Sequence, residues 1–288
     1  MIIDSHVHIY PDKIAHKASK GIGDFYGLDM SLDGTVGTLL KVGNAAGVDR
    51  FLVHSAATTP HQVRSINSFI SDSVKEHPDR FIGFATLHPD CEDIPEIVDE
   101  AISLGLAGIK LHPDFQKFDI DCPRAMRMYE AIEGKMPVLF HTGDYRTQYS
   151  KPLKIINVLR EFPKLDVIAA HFGAWSEWGN GAEELAEAGV YVDTSSSFYA
   201  MTPVRIIELI NIFGTDHIFF GSDYPMWNVK NELETFMSLP LSDEDREKIL
   251  HLNLENLLAK YKKQFRDCTD AIKRTTRCHS EKPNSGKS

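Results

Sequence analysis

His6 and His8 stand one residue apart in the run Met1-Ile2-Ile3-Asp4-Ser5-His6-Val7-His8-Ile9. In a β-strand, residues i and i+2 project from the same face, so both imidazoles can reach one metal ion from a single strand end. That is half of a zinc site. A His-x-His arises by chance about 0.6 times in a chain with this histidine content, so partners elsewhere must decide its meaning.

The elements that would position such partners are legible as an alternation. Short apolar runs over 1–3, 50–54, 81–86, 108–112, 137–141, 165–171, 190–194 and 217–222 have the length and the β-branched or aromatic content of buried strands. Amphipathic stretches lie between them. Residues 62–76 carry Val63, Ile66, Phe69, Ile70 and Val74 on one helical stripe and end at His77-Pro78. Residues 95–104, 124–133, 152–161, 182–188 and 203–213 read as helices too, with Gly105, Gly189 and Gly214 punctuating three ends. Strict strand–helix alternation predicts a parallel sheet covered by helices, and eight units predict a closed (β/α)8 TIM barrel of the α/β class. An open doubly wound sheet is the alternative, but no G-x-G-x-x-G follows any strand. Residues 243–260 predict a C-terminal helical extension, with acidic residues at its positive end. The barrel domain is thus expected over 1–262. A basic, disordered tail is expected over 263–288, where apolar content falls.

Composition bounds the partners. A net charge of −10 argues against general nucleic-acid affinity. From 262 to 288, eight Lys or Arg stand against three Asp or Glu, and a solvated tail is the plain reading of that run. Cys91, Cys122, Cys268 and Cys278 match neither zinc-knuckle nor C-x-x-C spacing, so reduced thiols of a cytoplasmic protein are expected. The first residues show no basic-then-apolar leader pattern, and no apolar run approaches the roughly 18 residues of a membrane span.

In a barrel of this type, chemistry gathers at the C-terminal strand ends. Those positions hold His6 and His8, His54, His88, Lys110 and His112, His141 with Asp144, His171, and Asp223. Seven of the 13 histidines therefore fall on the expected rim, which scattered surface histidines would not do. Histidine and carboxylate donors without thiolate suit Zn²⁺, Mn²⁺ or Fe²⁺ in an open, catalytic site.

The segments Asp4-Ser5-His6-Val7-His8, Gly108-Ile109-Lys110-Leu111-His112-Pro113, His141-Thr142-Gly143, Ala170-His171-Phe172-Gly173 and Gly221-Ser222-Asp223-Tyr224-Pro225, in this order, resemble the amidohydrolase superfamily. The match is to its amidohydrolase-2, aminocarboxymuconate-semialdehyde decarboxylase-like, metal-dependent barrels. The stretch around Asn253 and Leu257 resembles the family's closing segment. The resemblance implies that His6, His8, His141 and Asp223 ligate one divalent ion, most simply Zn²⁺. His171 would stand beside an activated water, and Asp223 would take its proton. A bound divalent ion lowers a water pKa from about 15.7 towards 7, and a carboxylate can shuttle the released proton. Lys110 would either bridge a second metal as a carboxylated lysine or pair with a carboxylate. His112 either binds substrate or supports a ligand, and Arg146 either meets an anionic substrate group or is an exposed loop arginine. His54 and His88 either line the pocket or satisfy rim hydrogen bonds. Trp175 and Trp178 either wall the pocket or cover a helix end.

Three functions follow. The first is hydrolysis of an amide, ester or lactone of a small molecule. The second is non-oxidative decarboxylation of a small aromatic or unsaturated acid. The third is a non-catalytic metal- or ligand-binding barrel. Decarboxylases of the group carry a proline and an arginine soon after the strand-six histidine, and some complete the site across a homodimer. Here residues 171–179 contain neither, which makes hydrolysis the expectation.

Overall fold

The computed structural model describes residues 1–261. The tail expected over 263–288, with Cys268 and Cys278, lies outside the described residues. Nine strand segments occur: β1 (Ile3–His8), β2 (Arg50–His54), β3 (Phe81–Gly83), β4 (Ala85–Thr86), β5 (Ile109–Leu111), β6 (Val138–Phe140), β7 (Val167–Ala169), β8 (Tyr191–Asp193) and β9 (Ile218–Phe219). All pairings are parallel and run in chain order, β1 to β3 and β4 to β9. β3 and β4 are halves of one strand interrupted at Phe84, whose N–H still bonds the Val53 carbonyl at 3.0 Å. The last strand returns to the first. Ser5 N donates to Phe220 O at 2.8 Å, His8 N to Tyr224 O at 2.8 Å and Asp223 N to His6 O at 2.9 Å. The result is an eight-stranded TIM barrel of the α/β class.

Helices α1 (Asp12–Tyr26), α2 (Val36–Ala46), α3 (Val63–Glu76), α4 (Ile94–Ser103), α5 (Pro113–Gln116), α6 (Pro123–Ile132), α7 (Lys154–Glu161), α8 (Ala182–Glu187), α9 (Pro203–Phe213), α10 (Val229–Met237) and α11 (Asp243–Glu247) fill the connections. A π-helical turn, Lys248–Leu252, leads from α11 into helical residues 253–261. The helix expected over 243–260 is therefore present with this turn inside it. Helices α1 and α2 were not expected. Small residues stand on their buried faces: α1 buries Ala15, Ser19 and Gly23, and on α2, beside Leu39, a Cβ on Gly43 would stand 2.1 Å from the Phe51 ring, so only glycine lets α2 lie against β2. The first strand runs from Ile3 to His8, so its apolar start continues through the buried polar residues Asp4, Ser5 and His6 to the expected histidine end.

Two cores follow from strand alternation. Val53, Ala85, Ile109, Leu111, Val138, Phe140, Val167, Ala169, Val192 and Ile218 face the helices. Leu52, Ile82, Phe84, Leu139, Ile168, Ala170 and Phe219 face the barrel axis, where Leu254, Leu257, Leu258 and Tyr261 close one end. Asn253 Nδ2 fixes this closing segment by donating to Thr215 O at 2.7 Å and Ile218 O at 2.8 Å.

Strand β1 would not fit this scheme without an irregularity. Ile3 pairs with Arg50 and Asp4 with Phe51, but Val7 pairs with Val53, so Ser5 and His6 oppose Leu52 alone. This bulge shifts the phase of β1 by one residue. Ile3 joins the axial plug, Val7 joins the outer core, and His6 and His8 both face the barrel mouth.

The plug makes a testable demand. Leu257→Ala removes a side chain that is 1% exposed, and we expect it to cost about 3 kcal/mol. Denaturant unfolding should show a lower midpoint; an unchanged midpoint would mean that the closing segment does not support the barrel.

Candidate active site

His6 is fixed from behind. Its Nδ1 lies 2.8 Å from Asp193 Oδ2 and 3.0 Å from Ser195 Oγ. Donation from Nδ1–H to the carboxylate leaves the Nε2 lone pair facing the axis. There Nε2 stands 3.6 Å from Asp223 Oδ1, and His8 Nε2 stands 3.4 Å from the same oxygen. His6, His8 and Asp223 thus converge directly.

His141 joins them through a relay of rings. His171 Nδ1 donates to Ser195 O at 2.9 Å, so its Nε2 accepts from His141 Nδ1, also at 2.9 Å. His141 Nε2 then accepts from the Tyr26 hydroxyl at 3.3 Å. His112 Nδ1 takes the Phe115 N–H at 3.4 Å, so its Nε2 donates to Tyr26 Oη at 3.0 Å. The His112 and His141 rings stack with centroids 4.0 Å apart. His8, His112, His141, Tyr26, Trp175, Ser196 and Asp223 line one small cavity of about 30 Å³. It adjoins a larger one of about 730 Å³, and His8, Ile22, His112 and Phe115 line both.

Burial sets the charge states. It pushes the His6 imidazole down to about 4, with Lys110 adding to the shift. Burial also lowers His8, His141 and His171, and His141 is held lower still by His112 and His171. For Asp193 and Asp223, burial opposes ionisation, but the imidazoles of His6 and His171, with His8 beside Asp223, hold both carboxyls below the usual range. Neutral imidazoles around an ionised carboxylate are the donor state that a divalent cation requires. One donor atom each of His6, His8 and His54 lie within 4.8 Å of one another, as do those of His6, His171 and Asp193.

Backbone strain concentrates at the same place. His171, Phe172, Ser196 and Asp223 are non-glycine residues at φ 61°, 50°, 46° and 62°. Such conformations persist only where surrounding contacts enforce them. Asp223 is enforced by its N–H bond to His6 O and by the Ser196 hydroxyl on its Oδ2. Gly143, in the His141-Thr142-Gly143 turn, has φ 80°, and a Cβ there would lie 2.4 Å from the Ala174 backbone.

The other candidates separate. Lys110 is buried on the barrel axis with Nζ 3.1 Å from His6 Nε2; burial pushes its amine down to about 8, against the pull of Asp193 and Asp223. Arg146 is committed elsewhere. It binds both oxygens of Asp144 and donates to Phe25 O at 2.6 Å, with its guanidinium over the Phe25 and Tyr26 rings. His88 Nδ1 accepts from Asp90 N at 3.2 Å and lines neither cavity. Trp175 packs edge-on to Tyr26 at 4.8 Å and walls the small cavity, whereas Trp178 packs on Tyr199.

Asp193, Ser195, Ser196 and Tyr26 were not anticipated. Asp193 had a signal: it is the carboxylate at the end of the 190–194 run, the one strand end from which no site residue was drawn. Tyr26 had none, since it arrives from the end of α1.

The amidohydrolase family model matches residues 3–259. The gamma-resorcylate decarboxylase of Polaromonas sp. (strain JS666) is 22% identical over 247 residues, covering 67% of this chain and 75% of that one. Among solved structures, a dihydroxybenzoic acid decarboxylase from Polaromonas sp. JS666, with bound manganese and the inhibitor 2-nitroresorcinol, superposes with a TM-score of 0.70 at 18% identity, covering 90% of this chain and 96% of that one. An uncharacterised TIM-barrel protein from Bordetella bronchiseptica gives 0.73 at 22% identity, covering 90% and 99%. The expectation of hydrolysis is overturned by these comparisons, because the relatives with a stated activity are decarboxylases. That expectation rested on residues 171–179 alone, and these fold into a wall around Trp175, so a cation missing from them says little about how an acid is held. Its catalytic class apart, the resemblance stands: the chain belongs to the amidohydrolase family.

Proposed function

We propose that this protein is a metal-dependent, non-oxidative decarboxylase of a small aromatic or unsaturated acid. The observation that carries the reading is the convergence of His6, His8 and Asp223 at the barrel mouth, in a chain whose relatives of stated activity remove CO₂ from hydroxybenzoates. His6, His8 and Asp223 would hold the cation, with His141, which lines the same small cavity as His8 and Asp223, as a fourth donor; the cation is manganese in the Polaromonas structure. When bound, a divalent ion supplies Lewis-acid polarisation of substrate oxygens and so helps carry the charge that develops as CO₂ leaves.

The remaining steps belong to the chain. The larger cavity is lined by Ile14, Ile22, Phe25, Ile66, Phe69 and Phe115, which suits the apolar face of a ring. His8 and His112 stand where it meets the polar centre, so a ring lying there would point its carboxylate inward. The carbon–carbon bond to the carboxylate breaks, CO₂ leaves, and the electron pair stays on the ring carbon. That carbon needs a proton. Asp223, whose carboxyl borders the small cavity, takes one from solvent or substrate hydroxyl and passes it on. His171 positions the relay by holding His141 through its Nε2.

Incubation of the metal-loaded protein with 2,6-dihydroxybenzoate and related hydroxybenzoates, followed for CO₂ and the decarboxylated ring, should show turnover. Hydrolysis of amides or lactones with no CO₂ from any acid tested would overturn the reading. Asp223→Asn should keep the fold and reduce kcat by about 10²- to 10⁴-fold; a rate within a few-fold of wild type at full metal occupancy would remove Asp223 from proton transfer.

The pH dependence of cation binding has a definite sign. Protons compete with the cation only below the pKa of the free donor, and burial lowers His6 to about 4 instead of the ordinary 6.5. Occupancy measured by elemental analysis after dialysis should therefore hold through pH 6.5 and fall only towards about 4. Loss centred near 6.5 would mean that the donors are solvated.

A further inference from the structure

His54 has no part in the bonding described above. It ends β2 directly opposite His8 in the strand register and is 0% exposed, yet among the described residues neither Nδ1 nor Nε2 has a hydrogen-bond partner. His6, His8, His112, His141 and His171 each have at least one polar partner. A neutral imidazole carries one N–H and one lone pair, and native interiors rarely leave both unmatched. The ring stands edge-on to His8 at 4.5 Å and to His6 at 4.9 Å between centroids. Its placement is therefore inside the polar centre and not in the surrounding core, whose apolar residues would have favoured leucine or phenylalanine here.

We propose that His54 is a further nitrogen donor to the cation held by His6, His8 and Asp223, and that it shifts the preference of this centre from Mn²⁺ towards Zn²⁺ or Fe²⁺. The proposal rests on the reading that a divalent cation is held there. One ring nitrogen of each of His6, His8 and His54 already lie within 4.8 Å of one another, and side-chain rotation closes the rest of the distance. Imidazole donors suit zinc and iron, whereas carboxylate and water suit manganese, so each nitrogen added to the set moves selectivity in that direction. Coordination also supplies the missing partner for one buried nitrogen of His54 and leaves the other as an N–H.

Metal-stripped protein titrated calorimetrically with Zn²⁺ and with Mn²⁺ tests this, with wild type beside His54→Gln and His54→Phe. The second variant retains an aromatic ring in the buried site if the first fails to fold. Both variants should bind Zn²⁺ about 10- to 100-fold more weakly, the range seen even for groups that only support a ligand. Mn²⁺ binding should change less, so that the Zn²⁺/Mn²⁺ preference falls. In wild type, the ¹⁵N resonance of a His54 ring nitrogen should move to the metal-bound position on Zn²⁺ loading. Unchanged affinities and preference in a folded variant, or a His54 resonance that stays at the free-imidazole position, would overturn the proposal. A wild-type protein that binds neither metal would be a different result, removing the cation reading itself.

Discussion

The two-for-one mismatch between β1 and β2 is the constraint on which the rest depends. Ile3 must face the axis to meet Leu254 and Leu257 in the plug, and His6 must face it three residues later to reach Asp193 and Asp223. Strict alternation would send one of them into the helical layer. Opposing Ser5 and His6 to Leu52 absorbs the difference, and the Ser5 hydroxyl is satisfied by the Phe220 carbonyl at 2.7 Å. The same strand thus serves a hydrophobic end and a polar end. Asp4 secures the arrangement across the barrel seam, accepting from Ser222 N at 2.9 Å and from its hydroxyl. Register at that seam sets where Asp223 stands relative to His6.

A polar centre this deeply buried is tolerable because its groups, His54 apart, are oriented by one another. Asp193 organises four donors at once: the His6 ring, the His171 N–H at 3.0 Å, and both the N–H and the hydroxyl of Ser195. Its carboxylate stays ionised despite burial, and in doing so fixes the tautomer of His6 and the backbone that carries His171. Ser196, the next residue, caps Asp223 and is itself held by the Trp227 indole at 2.8 Å. A single turn after β8 therefore governs residues from β1, the loop after β7 and the loop after β9. The left-handed conformations of His171, Ser196 and Asp223 are the backbone cost of that arrangement.

The barrel was legible because its strands are buried on both faces, which writes each as a compact apolar run, and because most helices carry a stripe of large residues. Helix α9 matched its expected limits, Pro203–Phe213, since proline marks its start and Gly214 its end. Helices α1 and α2 were missed because small residues occupy part of their buried faces: α1 buries Ala15, Ser19 and Gly23, and on α2 Gly43 stands beside Leu39. In the site, His6, His8, His141, His171 and Asp223 were readable as metal-type residues at strand ends. Asp193 stood at a strand end but orients His6 and His171 from behind, and Ser195 is a hydroxyl in the turn after it, a residue type with many commoner uses. Tyr26 depends on how α1 crosses the mouth, a three-dimensional fact with no local pattern.

Reaction class was the least legible property, and the reason is physical. Hydrolysis and decarboxylation ask nearly the same of the protein near the cation: neutral imidazoles, an ionised carboxylate that can carry a proton, and exclusion of bulk water. They differ in where the scissile bond lies relative to these groups, which the wall of the pocket decides. That wall is assembled from α1, α5, the start of α3 and the turn holding Trp175, so no single stretch of sequence encodes it. A missing arginine after His171 was therefore weak ground for choosing between the two. An inward-facing carboxylate can be held by the centre itself when the rest of the molecule is gripped by an apolar cavity beside it. Under the decarboxylase reading, Ile22, Phe25 and Phe115 would offer that grip, since they line the larger cavity together with His8 and His112.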